Sequence, residues 1–321
     1  MNSQIPSVLT RSRRRLVIFL LAIAVTALAL ALILSGTTAR GASIYAAVPS
    51  LGVIERYDAI TGADLGAFAT HLSIPGGMVF DRAGNLYVNE TGSATIRKIA
   101  PDGTATVFYS GGELKGSNAL AIDANGTIYV VTYSGIRRIT TAGFSSIFAA
   151  GGDYTNRAAM AFDSGGNLFV TNGDKAGSVS KITPTGLLST FYRGPASPNP
   201  MGIAIDRDDT LLVADYSNRT LNRISPGGIL SMVATHDAFY QTTSMVLGGG
   251  GDIIFSRNQS STISRRSSTG TVTVFALGNA PITALALGPN PVPEPSVLTL
   301  SITGLAGFFL KTRHGRRTIV A

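Results

Sequence analysis

The 321-residue chain has no cysteine and no tryptophan, and only three histidines. Without cysteine there is no disulfide framework, no thiolate nucleophile, and no zinc or iron–sulfur centre held by sulfur. One histidine, His314, lies in the C-terminal tail, which leaves His71 and His236 for proton chemistry. Charged residues make up only 14% of the chain against 45% hydrophobic ones. No nucleophile elbow, phosphate loop or metalloprotease signature occurs. The run Gly248–Gly251 does not open a helix after a strand, so it reads as a turn and not as a nucleotide fingerprint.

A net charge of +8 suggests a nucleic-acid binder, but the charge sits at the ends. Arg11, Arg13, Arg14, Arg15 and Arg40 precede the body of the chain, and Lys311, Arg313, Arg316 and Arg317 follow it. Between Ser43 and Val292 there are 17 basic and 17 acidic residues. A neutral body offers phosphates no attractive field, so no nucleic-acid partner is expected.

Both ends read as addresses. Residues 16–34 form an uncharged apolar run behind the Arg11–Arg15 cluster, which keeps the extreme N-terminus cytoplasmic. The stretch 1–42 is either a signal peptide cleaved near 39–42, the favoured reading, or an uncleaved membrane anchor. The C-terminus carries Val292-Pro293-Glu294-Pro295, then an apolar stretch at 297–310, then Lys-Thr-Arg-His-Gly-Arg-Arg. At about 1.5 Å per residue those 14 apolar residues are short for a bilayer-spanning helix. Motif, short apolar helix and basic end resemble, in that order, the PEP-CTERM sorting signal of bacterial exported proteins. The resemblance covers 290–321. It implies an exosortase and the export machinery as partners, a membrane association through the terminal helices, and delivery to the cell envelope or extracellular matrix.

The region 43–289 repeats. Segments opening at 77, 119, 160 and 202 share an apolar strand, an Asp-anchored turn and a second apolar strand, with a weaker copy at 245. Their anchors Asp81, Asp123, Asp163, Asp206 and Gly248 are 42, 40, 43 and 42 residues apart. Each copy continues with a third strand bearing a basic residue (Lys98, Arg138, Lys181, Arg223, Arg265) and a short apolar fourth strand. Four strands every forty-odd residues are the sequence signature of a propeller blade. The segments after Ser43 match strands two to four of a blade, and 281–288 matches a lone first strand. Together they predict an all-β, six-bladed propeller closed by the C-terminal strand and flanked by hydrophobic terminal helices. Closure removes the open sheet edge. The pattern resembles the NHL-repeat propellers and, more distantly, the gluconolactonase-like and streptogramin-lyase-like ones.

Closure also has a geometric consequence. The first strand of a blade runs from the top face, which carries the 2→3 turns and 4→1 loops, to the bottom face. Both chain ends are therefore expected on the bottom. The repeated aspartates read as caps of their own turns, and the basic column as a solvated face. A ligand site is expected among top-face positions Glu90, Tyr133, Asn172, Asp215, Tyr216 and Arg257. Other polar residues of the 4→1 loops include His71, Tyr154, Arg157, Arg193, His236, Asp237 and Tyr240. The resemblance to gluconolactonases implies a divalent ion, with Glu90, Asn172 and Asp215 as its ligands and oxygen donors suited to Ca²⁺. The leading expectation is a non-catalytic, cofactor-free binding or structural protein, with polysaccharide or surface proteins as partners. The alternative is a metal-dependent lactonase-type hydrolase or a streptogramin-lyase-like enzyme.

Overall fold

The computed structural model describes residues 42–289, apart from 118, 152–153, 155–157, 173–176 and 195–198. These residues form six four-stranded antiparallel sheets. Five take four consecutive strands; blade 2, for example, is Pro75–Phe80, Leu86–Glu90, Thr95–Ile99 and Ala105–Ser110. Blade 1 is composite. Its order is Ala284–Leu287, Ser43–Val48, Val53–Asp58 and Asp64–Ala69, so the last strand of the ring completes the first blade. Ile44 pairs with Leu287 and Ala47 with Ala284 in that closing register. The six-bladed architecture expected from the repeats is the one observed. The expected terminal helices and the sorting motif Val292–Pro295 lie outside the described residues. Among the described residues no helix is long and apolar enough to cross a membrane.

Burial explains the strand sequences. The second strands of blades 2 to 5 are buried along their whole length, because a neighbouring blade covers each of their faces. That is why they read as continuous apolar runs such as Ile128-Tyr129-Val130-Val131. The fourth strands form the rim and are mostly exposed. The core divides into six apolar clusters, each shared by two adjacent blades. Within four of them, aromatic pairs meet edge to face. Tyr45–Phe68, Tyr87–Phe108, Tyr129–Phe148 and Phe169–Phe191 have ring centroids 4.9–5.0 Å apart.

The basic column does more than solvate a face. Lys98 lies 5.6 Å from the centre of the Tyr87 ring, and Lys181 lies 5.6 Å from Phe169 and 5.9 Å from Phe191. Lys98 covers one ring of its aromatic pair and Lys181 both, an attraction of about 0.5–1 kcal/mol at an exposed site. Arg56, opposite Tyr45, is the sixth member of the column. It is six residues before Gly62, where every other member is five before its glycine.

On the bottom face the aspartates cap their turns as expected. Asp81 Oδ1 accepts from the amides of Ala83 and Asn85, and Asp123, Asp163 and Asp206 repeat the bond to the fourth residue on. Gly288 N donates to Ser43 O at 2.8 Å, which puts both ends of the described chain on this face.

Candidate functional site

A cavity of about 610 Å³ runs along the propeller axis, walled by the first strands of all six blades. Met78, Phe80, Leu120, Ala204, Met245 and Leu285 are among its lining residues, and among the described residues none that lines it is charged. Among the described residues its polar side chains fall in one sector. Thr243, Ser244 and Asn258 come from blade 6, and Thr283 from the neighbouring blade 1. The Ser244 hydroxyl accepts from Leu285 N at 2.9 Å and so ties blade 6 to blade 1. The Thr243 hydroxyl is buried without a hydrogen-bond partner. Of this sector, sequence reasoning reached Asn258, beside Arg257 at the top face, but missed Thr243, Ser244 and Thr283, although a signal was present. The first strand of blade 6 opens Thr242-Thr243-Ser244, where blade 2 has Pro75-Gly76-Gly77 and blade 5 has Pro200-Met201-Gly202.

The expected top-face residues occupy one structural position, the end of the second strand, or the turn just after it. Glu90 is fully buried. Its carboxylate accepts from Ser73 N at 3.0 Å and Ser93 Oγ at 3.3 Å, and Arg97 Nε lies 3.1 Å away. Asp215 does the same work in blade 5. It accepts from the amides of Asn199, Ser217 and Asn218 and from the Asn218 side chain at 2.8 Å. Both carboxylates therefore tie a 4→1 loop to a 2→3 turn within their own blade. Asn172, in blade 4, donates to Ser178 Oγ and Ser180 Oγ at 3.0 and 2.8 Å, and its Oδ1 is buried without a partner. Beside that network, burial pushes the Tyr154 hydroxyl up to about 12.

Tyr133 stands 85% exposed in the 2→3 turn of blade 3. Tyr216 packs against Tyr240 with centroids 5.2 Å apart, and its hydroxyl accepts from Gln241 Nε2 at 2.9 Å. Arg219 stacks on Tyr240 and pairs with Asp237 at 2.7 Å. Arg257 ends the second strand of blade 6 next to the cavity-lining Asn258, and its Nε has no partner. His236 is used locally, its Nδ1 accepting from Ala238 N. His71 Nδ1 meets the Thr70 hydroxyl at 2.8 Å. Arg157 lies outside the described residues.

Calcium requires six to eight oxygen ligands. Glu90 and Asp215 already spend their oxygens on protein donors, and none of Glu90, Asn172 and Asp215 lines the axial cavity. Among the described residues no three His, Cys, Asp or Glu side chains cluster. Glu90 and Asp215 are thus engaged with their own loops, and neither they nor Asn172 faces the axial cavity.

Solved structures share this fold. A streptogramin B lyase is 20% identical with a TM-score of 0.60, over 78% of this chain and 87% of that one. A chain of a nidogen/laminin complex is 13% identical with a TM-score of 0.68, over 78% and 100%. A calcium-binding regucalcin from Agrobacterium tumefaciens is 14% identical with a TM-score of 0.56, over 73% and 87%. No protein-family model and no curated protein sequence matches this chain. At these identities the likenesses establish a six-bladed propeller and nothing finer.

Proposed function

We propose that this chain is an exported binding propeller. Its axial cavity takes a small amphiphilic ligand with an apolar body and an uncharged polar head. The observation that carries the reading is the cavity itself: among the described residues its walls are apolar and uncharged, with polar groups gathered in one sector. Ligand pockets of about 300–1,000 Å³ are typically built this way, with a few polar groups fixing orientation. The unpartnered Thr243 hydroxyl supplies a donor and an acceptor for the head. Export and sorting rest on the terminal runs at 16–34 and 297–310 and on Val292–Pro295.

A second reading, an enzyme of the lyase or lactonase type, is favoured by the streptogramin B lyase neighbour and by a gluconolactonase-like neighbour of the same fold. Under it the chemistry would need groups other than Glu90 and Asp215, since both are committed to loop hydrogen bonds.

p-Nitrophenyl glycosides pair an apolar ring with an uncharged polar head and serve as soluble probes. Calorimetric titration of the full chain should give saturable binding that Ala204→Arg, which fills the cavity, abolishes. Binding indifferent to that substitution would contradict the cavity reading. Ring opening of simple lactones by the wild-type chain would move the conclusion to the second reading.

A further inference from the structure

We propose that the bottom face of the propeller rests on a lipid bilayer, leaving the top-face loops and the cavity mouth between them turned away from it. The inference depends on 297–310, or 16–34 left uncleaved, being inserted in the membrane. It adds which face of the ring meets the lipid and through which side chains.

Chain continuity is the first support. Ser43 and Gly288 are joined by a hydrogen bond on the bottom face. Residues 35–42 and 290–296 are all that separates the strands there from the two apolar runs. Connectors of this length reach at most roughly 25–30 Å when fully extended.

The second support is independent of the termini. Phe144, Leu187 and Ile229 are 76%, 68% and 73% exposed. They occupy the same position, just after the glycine, in the 3→4 turns of blades 3, 4 and 5. The turn itself does not call for an apolar residue there. Thr140 closes its turn by an amide bond to Phe144 O, and its hydroxyl accepts from Phe144 N. Ser267 makes the same two bonds to a threonine, Thr271, in blade 6. Blade 2 likewise has Thr104 at this position. Three large apolar side chains on adjacent blades therefore cost solvation that the fold does not require. Large apolar side chains are exposed at the top (Leu51, Ile74, Leu277) and on the rim (Val107, Ile147, Met232, Val274) as well, and the three turn residues are set apart by lying on the face that carries both ends of the described chain.

Their location matches the tether. In a six-membered ring blade 4 is opposite blade 1, which holds both chain ends. Blade 1 adds Ile60, 70% exposed in its own 3→4 turn. Lipid contact at blade 1 and at blades 3–5 would hold the face parallel to the bilayer. The charges of this face argue for apolar and not electrostatic docking. Arg82, Lys98, Arg138, Lys181, Arg207, Arg223 and Arg265 on this face are offset by Asp81, Asp102, Asp123, Asp163, Asp206, Asp208, Asp209 and Asp252, and Arg223 and Arg265 are paired with Asp206 and Asp252. Docking should therefore be insensitive to salt and to anionic lipid.

The chain contains no tryptophan, so a single introduced one reports its own surroundings. The full chain carrying Phe144→Trp, Leu187→Trp or Ile229→Trp, and a control carrying Tyr133→Trp on the top face, would be reconstituted into phosphatidylcholine vesicles with brominated acyl chains. The three bottom-face tryptophans should emit blue-shifted and lose about half their intensity to bromine, as rings roughly 5–10 Å into the headgroup boundary do. The Tyr133→Trp control should do neither. Solvent-like emission from the bottom-face positions in a chain that floats with the vesicles would overturn the docking while leaving the tether intact. A chain that does not float would overturn the tether, and the docking with it. Blue-shifted emission without bromine quenching would assign the patch to contact with a second copy, also against the proposal.

Discussion

The two faces of the ring are built by opposite rules. On the bottom, four blades repeat one device: Asp81, Asp123, Asp163 and Asp206 each accept from the amide of the residue four positions on. On the top, one structural position carries five different side chains, Glu90, Thr132, Asn172, Asp215 and Arg257, and the first four have four different sets of partners. The bottom is written by the fold and can be exchanged between blades. On the top each blade has its own solution, so a difference between blades, and not the repeat, points to function. The polar opening of blade 6 at Thr242–Ser244 is such a difference.

Substitutions can break this contrast. The largest effect should come from the top. Glu90→Ala strands Arg97 and the Ser73 amide beside a fully buried site and should cost about 3 kcal/mol in denaturant titration. Each bottom aspartate changed to Ala should cost about 1 kcal/mol, with little spread among the four. A wide spread there would refute the exchangeability of the bottom turns.

Glycines sharpen the point within one blade. Gly62 has φ +73°, and a Cβ would lie 2.1 Å from the Phe275 carbonyl of the neighbouring blade. Gly66 has φ +82° and open space around it. Gly62→Ala should cost about 2–3 kcal/mol and Gly66→Ala about 1 kcal/mol, measured by thermal unfolding. Equal losses would mean that the close passage of blade 1 against blade 6 is not felt.

Two pH effects are smaller. Burial, with the Asp123 carboxylate adding to it, pushes the Tyr129 hydroxyl up to about 12. The unfolded chain then loses this proton first, so stability should fall as pH rises from about 10 toward 12. Tyr129→Phe should flatten that fall in alkaline denaturation curves. Asp209 is held below the usual carboxylate range by the Ser164 hydroxyl and amide. Its contribution is present above the unfolded carboxylate value and lost as pH falls through the lowered one. Asp209→Asn should blunt the acid limb of the stability profile slightly, and an unchanged limb would remove this bond between blades 4 and 5 from the account.

The ring was legible because repetition multiplies a weak signal. Turn, strand and column positions recur at one spacing, and the unpaired strands at the two ends complete a sixth blade. Arg56 escaped because the blade 1 turn is one residue longer, which shifts the column's spacing to its glycine. The buried Glu55 was not legible either. Its partners are Tyr57 and Asn279, and Asn279 is 224 residues away across the closure. No local pattern encodes such a contact. Glu90 and Asp215 were legible as a position but not as a role. Whether a carboxylate at a strand end faces a ligand or its own loop amides is decided by the path of the 4→1 loop, which does not repeat.

The most direct test is thermal unfolding of the chelated full chain with Ca²⁺, Mg²⁺ or Zn²⁺ added back. A ligand bound only by the folded state must add about 2.7 kcal/mol of stability at a hundredfold excess over its dissociation constant. A cavity site that works without a metal predicts an unmoved midpoint with every ion. A saturable rise that Asp215→Asn removes would contradict it, and would make the top-face carboxylates ligands and not loop ties.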